Sequence, residues 1–120
     1  TRQRMPCPAS SVTLSNGAHG CISVVSNIAP KLCAQLQTAW MEGDPKKALK
    51  IQDKLTPLHL ATFLEAGVCG AKYGLSVLGR IGEEVRLPLV PMVEANKAKL
   101  RAAMAHAGLV KEEALSHAAE

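Results

Sequence analysis

A buried strand is the first element that the order of apolar and polar residues predicts. Residues 21–25 are apolar on both faces apart from one small serine, as expected of a central parallel strand covered on both sides. The apolar run ends at Ser26 and Asn27, and Pro30 follows. A strand that stops at short polar side chains and leads into a helix often forms the floor of an active site in parallel α/β proteins. We expect residues 20–26 to form this strand.

Helical periodicity follows the predicted strand. Apolar residues recur every three to four positions over 30–79 and again over 92–108, which predicts amphipathic helices in both stretches. Between them, Pro88 and Pro91 predict an extended segment, because the residue before a proline is disfavoured in helical geometry. Residues 1–10 show neither a helical nor a strand period.

Capping and breaking residues divide the helical stretches. Asp44 and Pro45 are typical of an N-cap followed by the first turn of a helix, and Gly43 is expected to end the helix before them. Pro57 should kink the helix that contains it, because proline lacks the backbone N–H and crowds the preceding turn. Gly108 fits the position just after the last helix.

The predicted elements number one strand and four or five helices, and one strand cannot make a sheet. Two interpretations remain open from the pattern alone. The chain is either an all-α domain with a misread segment, or the tail of a larger α/β protein whose other strands lie elsewhere.

Composition narrows the possible partners. The 120 residues carry 14 Lys and Arg against 10 Asp and Glu, a net charge of +4 that is scattered along the chain. Trp40, Phe63 and Tyr73 are the only aromatic residues, so base stacking has little support and we expect no nucleic acid partner. The apolar runs are too short to cross a membrane. Four cysteines without a C-x-x-C pair favour free thiols in a reduced cytoplasm.

Two pairs of residues could carry chemistry. Lys72 and Tyr73 could act as a nucleophilic lysine beside a tyrosine acid, because a desolvated lysine forms imines; packing is the favoured interpretation. His19 and Cys21 have a spacing that could supply two metal ligands, but a structural zinc site needs four and no second pair follows. We therefore expect no metal site.

The remaining histidines have simpler interpretations. His59 lies near Pro57, where a hydrogen-bonded structural histidine is expected, and His106 and His117 are predicted to face solvent. The sequence shows no glycine-rich phosphate loop and no Ser-His-Asp arrangement.

Three segments closely resemble the C-terminal portion of the 4-hydroxy-tetrahydrodipicolinate synthase family, formerly called dihydrodipicolinate synthase. They occur in the family's order and together cover roughly residues 17–110. They are GAHGCISVVSNIAPKL (17–32), LTPLHLATFLEAGVCGAKYGLSVLGRIGEEVRLPLVP (55–91) and LRAAMAHAGL (100–109).

The resemblance implies a (β/α)₈ barrel followed by three C-terminal helices. In this family a lysine forms a Schiff base with pyruvate, and the resulting enamine attacks aspartate semialdehyde. The resemblance also implies a homotetramer without a bound cofactor. Such a barrel takes about 250 residues, and the family's Schiff-base lysine, proton relay and carboxylate-binding arginine would all precede Thr1. We therefore expect no catalytic residue in this chain and no activity from the chain alone.

The resemblance implies an α/β fold class, in which GCISVVSN resembles the eighth and last barrel strand. Ile22 matches an isoleucine that lines the family's pyruvate site, and it is the one binding residue that the resemblance assigns here. The implied organisation is the end of the barrel over 1–43, a C-terminal helical region over 44–110, and a charged tail over 111–120.

The resemblance fails upstream of the predicted strand. The family has a Ser-Gly-Asp-Asp-like turn after its seventh strand, whereas this chain has Met5-Pro6-Cys7-Pro8, which suits a central strand poorly. Residues 1–15 are thus open to other origins, including a shifted reading frame or a truncated gene. The alternative function is a non-catalytic helical module for oligomerisation or packing.

Overall fold

The computed structural model describes residues 5–6 and 14–111. Two short strands, a 3₁₀ turn and four helices have both of their ends within these residues, and Leu14 and Ser15 are helical as well. In order they are β1 (Met5–Pro6), β2 (Cys21–Ile22), the 3₁₀ turn (Val25–Asn27), α1 (Pro30–Met41), α2 (Pro45–Thr62), α3 (Gly67–Val77) and α4 (Glu94–His106). The prediction of a mostly helical chain is confirmed. Predictions for residues 1–4, 7–13 and 112–120 lie outside the described residues.

The strand predicted over 20–26 is much shorter than expected. Only Cys21–Ile22 is a strand, and it pairs in parallel with Met5–Pro6, so that Met5 lies opposite Cys21. The prediction was wrong because Val25–Asn27 turns into a 3₁₀ helix. It was also wrong about burial, since Ile22 is 64% exposed. The sequence indicated that the Met5-Pro6 segment suits a central strand poorly, and its pairing with β2 extends over two residues only.

The helix boundaries follow the signals in the sequence. Asp44 precedes α2 and its Oδ1 accepts a hydrogen bond from the Lys47 N–H at 3.0 Å, which satisfies one of the unpaired donors of the first turn. Gly43 and Gly108 follow α1 and α4 with φ of 77° each, a conformation that glycine adopts without strain. Pro57 lies inside α2, which continues to Thr62; the kink there stays a prediction.

The segment before α4 is non-helical, but it is not extended throughout as its prolines predicted, because it turns at Leu87–Pro88, where the Leu89 N–H donates to the Arg86 carbonyl at 3.0 Å. Three contacts hold this segment against the α2–α3 region. The Lys72 ammonium donates to the Glu84 carbonyl at 2.7 Å, and the Cys69 thiol donates to the Val90 carbonyl at 3.3 Å. The Val93 N–H donates to the Glu65 carboxylate at 3.2 Å. This last bond places a negative charge at the N-terminus of α4, where the helix dipole favours it.

The core is formed by α2 and the helices that pack on it, α1 on one side and α4 on another. Side chains that are essentially removed from water fill the space between these elements. The largest of them are Leu36, Leu55, Leu58, His59, Thr62, Leu100 and Met104, with Val25 from the 3₁₀ turn. The helices thus share one core that includes the turn after β2. Within residues 5–6 and 14–111, no helix combines the length and the apolar character needed to cross a bilayer.

Candidate functional site

Hydrogen bonds between two serines explain why β2 stops after Ile22. The Ser26 N–H donates to the Ser23 hydroxyl at 3.1 Å, and the Ser26 hydroxyl donates to the Ser23 carbonyl at 2.7 Å. The Asn27 amide adds a bond to the Val24 carbonyl at 2.9 Å. Short polar side chains of this kind offer the backbone an alternative to strand pairing. Val25, fully buried, anchors the turn in the core.

A cleft of ≈ 490 Å³ lies between β2 and the helices that follow it. Its surface is mostly apolar, and the polar groups on it are hydroxyls, thiols, one amide and one imidazole. The lining residues are His19, Gly20, Cys21, Ser23, Ser26, Pro30, Cys33, Ala34, Leu36, Gln37, Met41 and Leu55. The Gln37 amide donates to the Cys21 sulfur at 3.7 Å, so Cys21 faces α1. Such a cleft can accommodate apolar groups, and its described lining contains no carboxylate, lysine or arginine.

Ile22, the binding residue that the sequence assigned, does not line this cleft. Successive side chains of a strand point to opposite faces, and Cys21 occupies the face toward α1. Ile22 therefore projects from the other face, where 64% of its side chain is exposed. Among the described residues, that face of β2 has no covering layer.

Lys72 and Tyr73 take part in structural contacts, as the packing interpretation predicted. Lys72 holds the Glu84 carbonyl, whereas Tyr73 is buried and its hydroxyl accepts a hydrogen bond from the Arg101 guanidinium. The Lys97 ammonium lies 5.2 Å from the centre of the Tyr73 ring, within cation–π range.

Lys97 is the charged residue that the sequence reasoning missed. It is only 9% exposed, and its ammonium lies 2.8 Å from Glu83 and 3.3 Å from Glu94. The hydrogen bond to Glu83, with a further contribution from Glu94, raises the pKa of Lys97 above its ordinary value. The signal was its spacing: Lys97, Leu100 and Met104 fall on one helix face. A buried, paired lysine on an otherwise apolar face ties the segment before α4 to this helix.

The histidines are dispersed. His19 is exposed at the edge of the cleft, and His106 is exposed beside an apolar groove between α2 and α4. His117 lies outside the described residues. Across residues 5–6 and 14–111, no three His, Cys, Asp or Glu side chains are grouped so that they could hold a metal ion.

The burial of His59 should make the free energy of unfolding depend on pH. Its side chain is 1% exposed, and burial lowers its pKa below the ordinary 6.5, since a charged imidazolium would be desolvated. Below that pH the unfolded chain binds a proton that the folded chain does not, so the free energy of unfolding should fall as the pH drops below 6.5. Above it both states are neutral and His59 contributes no pH dependence.

Urea unfolding between pH 7.5 and pH 5.5 measures this effect. His59→Gln should lose part of the decrease in stability, whereas His106→Gln, at an exposed position, should keep the wild-type dependence. Equal pH dependence in wild type and His59→Gln would contradict the assignment.

Comparison with known proteins covers nearly all of the described chain. The family model of the dihydrodipicolinate synthetase family matches residues 9–107. The chain is 59% identical over 97 residues to the 4-hydroxy-tetrahydrodipicolinate synthase of Rhodopseudomonas palustris (strain BisA53), a match that covers 81% of this chain and 33% of that protein. The enzyme of the same name from Mesorhizobium japonicum is 50% identical over 121 aligned positions, covering 92% of this chain and 41% of the relative.

Solved structures give the same likeness in three dimensions. The dihydrodipicolinate synthase of Thermotoga maritima superposes with a TM-score of 0.82 at 37% identity, covering 85% of this chain and 35% of that one. The enzyme from Acinetobacter baumannii, solved in complex with pyruvate, gives a TM-score of 0.79 at 32% identity, with 85% and 35% covered. The chain therefore spans about a third to two fifths of the length of these relatives.

Proposed function

The chain belongs to the dihydrodipicolinate synthetase family, and we propose that it forms the C-terminal portion of a lyase of lysine biosynthesis. The complete enzyme would condense pyruvate with L-aspartate semialdehyde to 4-hydroxy-tetrahydrodipicolinate. The observation that carries this proposal is the 59% identity over 97 residues to a protein of that name. The proposal includes a (β/α)₈ barrel ending at β2 and α1, with the helical region over 44–110 appended to it.

The proposed reaction begins with an imine. A lysine amine would add to the C2 carbonyl of pyruvate and release water, loss of a C3 proton would give an enamine, and the enamine carbon would attack the aldehyde. We assign that lysine to a part of the enzyme outside these 120 residues. Lys72, whose ammonium is held by the Glu84 carbonyl, is the described lysine closest to a tyrosine in sequence and is assigned a structural role.

Borohydride trapping with labelled pyruvate tests the location of the reactive lysine, because reduction makes an imine permanent. The 120-residue chain should acquire no pyruvyl label, and a longer protein that supplies the rest of the barrel should. A stable adduct on Lys72 in the short chain, absent from Lys72→Ala, would refute the assignment. A longer protein that acquires no label would refute the proposed function.

The proposed role of this chain at the site is to supply a wall of the pyruvate pocket. Ile22 is an apolar side chain on the face of β2 that no described residue covers, which is where a barrel interior would lie. Its backbone, adjacent to the serine turn, would be held in place by the Ser23 and Ser26 hydrogen bonds.

Substitutions at Ile22 in the complete enzyme test whether the size of this side chain affects pyruvate binding. Ile22→Val removes one methylene and should retain pyruvate binding with a modest loss of rate, since such changes cost only about 0.5–1.5 kcal/mol. Ile22→Phe should raise the pyruvate KM and lower turnover, because a larger ring would occupy the pocket. Steady-state kinetics of both folded variants measure this. Wild-type constants in Ile22→Phe would remove Ile22 from the pocket.

A homotetramer in the cytoplasm, working without a cofactor, completes the proposal. A second candidate is a non-catalytic helical module for oligomerisation, which the exposed apolar side chains favour. Leu87, Val90 and Leu60 are 85%, 62% and 64% exposed. Light scattering on the 120-residue chain distinguishes the two, because a module of this kind would self-associate without the rest of the barrel.

A further inference from the structure

A second cleft, of ≈ 480 Å³, lies between α1 and α2 on a surface that the proposed function does not use. We call it the lysine groove. Four lysines line it together with two neutral polar residues, and Ala34 and Ile51 supply its apolar part. Its described lining residues are Lys31, Ala34, Gln35, Thr38, Lys47, Lys50, Ile51 and Lys54. Among these described residues there is no carboxylate.

The charges of the groove are not neutralised within the described chain. The ion pairs found over residues 5–6 and 14–111 both belong to Lys97, and the four groove lysines are exposed. Like charges that converge on one groove repel one another and create a local positive potential. An anionic occupant would relieve that repulsion.

The end of α4 lies beside the groove. A neighbouring cleft is lined by Gly108 and Leu109 on one side and by Lys31 and Gln35 on the other. Lys31 and Gln35 also line the lysine groove, so the two clefts adjoin. The polypeptide therefore passes next to the groove just before Lys111.

The sequence that continues from this point is acidic. Residues 112–120 read EEALSHAAE, with three glutamates and no lysine or arginine. We propose that the lysine groove binds this segment, with Glu112 and Glu113 paired to groove lysines and Leu115 against its apolar part. Nine residues span up to about 30 Å when extended, which is ample for a groove that starts beside Lys31. The scarcity of aromatic residues favours a peptide over a nucleic acid as the occupant.

Competitive lysine acetylation tests the proposal on the 120-residue chain. Glu112→Gln/Glu113→Gln should raise the acetylation rates of Lys31, Lys50 and Lys54 by about two- to fivefold, the factor that an exposed ion pair supports. Lys46 is exposed on α2, the helix that carries Lys50 and Lys54, but it does not line the groove, so its acetylation rate should not change. Circular dichroism confirms that the variant remains folded.

The salt and concentration dependence of the acetylation rates shows whether the contact is ionic and whether it lies within one chain. The difference between variant and wild type should vanish at about 1 M salt, where charges are screened within about 3 Å, and it should persist on dilution because the contact lies within one chain. Equal rates for the groove lysines in both proteins would overturn the proposal. So would a difference that Lys46 shares, or one that disappears on dilution, which would indicate a second copy as the source of the segment. The outcome is independent of catalytic activity.

Discussion

Gly70→Ala should lower the free energy of unfolding by about 1–3 kcal/mol, the usual cost of overpacking. A Cβ at residue 70 would lie 2.4 Å from the carbonyl oxygen of Thr62, far inside van der Waals contact. That oxygen belongs to the backbone at the end of α2, and Thr62 is fully buried. Relief therefore requires α2 and α3 to separate, which would disturb the core between them.

Gly67→Ala is the matched control, because it lies on the same helix and also meets a neighbour. Its Cβ would come within 2.8 Å of the Phe63 ring. That ring is 46% exposed and can rotate toward solvent, so the cost should stay within about 0.5 kcal/mol. Urea unfolding of both variants measures the contrast. Equal losses of stability would show that α2 and α3 do not approach at Gly70 as described.

The helices could be predicted because their signals are local. Asp44 caps α2 through its own side chain, Pro45 occupies the first turn, and Gly108 ends α4 in a left-handed conformation. Each of these preferences acts within a few residues and needs no partner element. The apolar spacing then indicates which face is buried, and Leu58 and Leu100, which lie within the two stretches of helical periodicity, are fully buried.

The strand could not be predicted in the same way, because a strand depends on its neighbours. The apolar run over 21–25 matches a buried strand, yet strand geometry lasts only where another strand pairs, at Cys21–Ile22. Beyond it, the hydrogen bonds between Ser23 and Ser26 form locally and turn the backbone. The predicted strand ran to residue 26, four residues beyond the observed end at Ile22.

The assignment of Ile22 to a binding site came from the family resemblance and not from the apolar periodicity. Periodicity alone places Ile22 in a core, and only likeness to a family assigns it to a pyruvate pocket, which the complete enzyme must test. Lys97 shows the opposite case. Its position on the buried face of α4 is visible in the sequence, but its partners Glu83 and Tyr73 come from other elements, and such contacts follow from tertiary structure.

Leu58→Ala should cost about 2–5 kcal/mol, because it removes a fully buried side chain and leaves a cavity in a close-packed core. Leu58 lies in α2, the helix on which both α1 and α4 pack. Leu60→Ala removes the same atoms two residues later, where 64% of the side chain already faces solvent. It should change stability by less than about 0.5 kcal/mol.

Comparison of Leu58→Ala with Leu60→Ala tests whether the helices form a complete core without the rest of the barrel. If the core were completed only by the rest of a barrel, Leu58 would be partly hydrated in the 120-residue chain and the two variants would lose similar stability. A large difference, measured by urea unfolding at constant m-value, means that this portion folds around Leu58 by itself. It would then present the uncovered face of β2 as a preformed surface for the remaining strands.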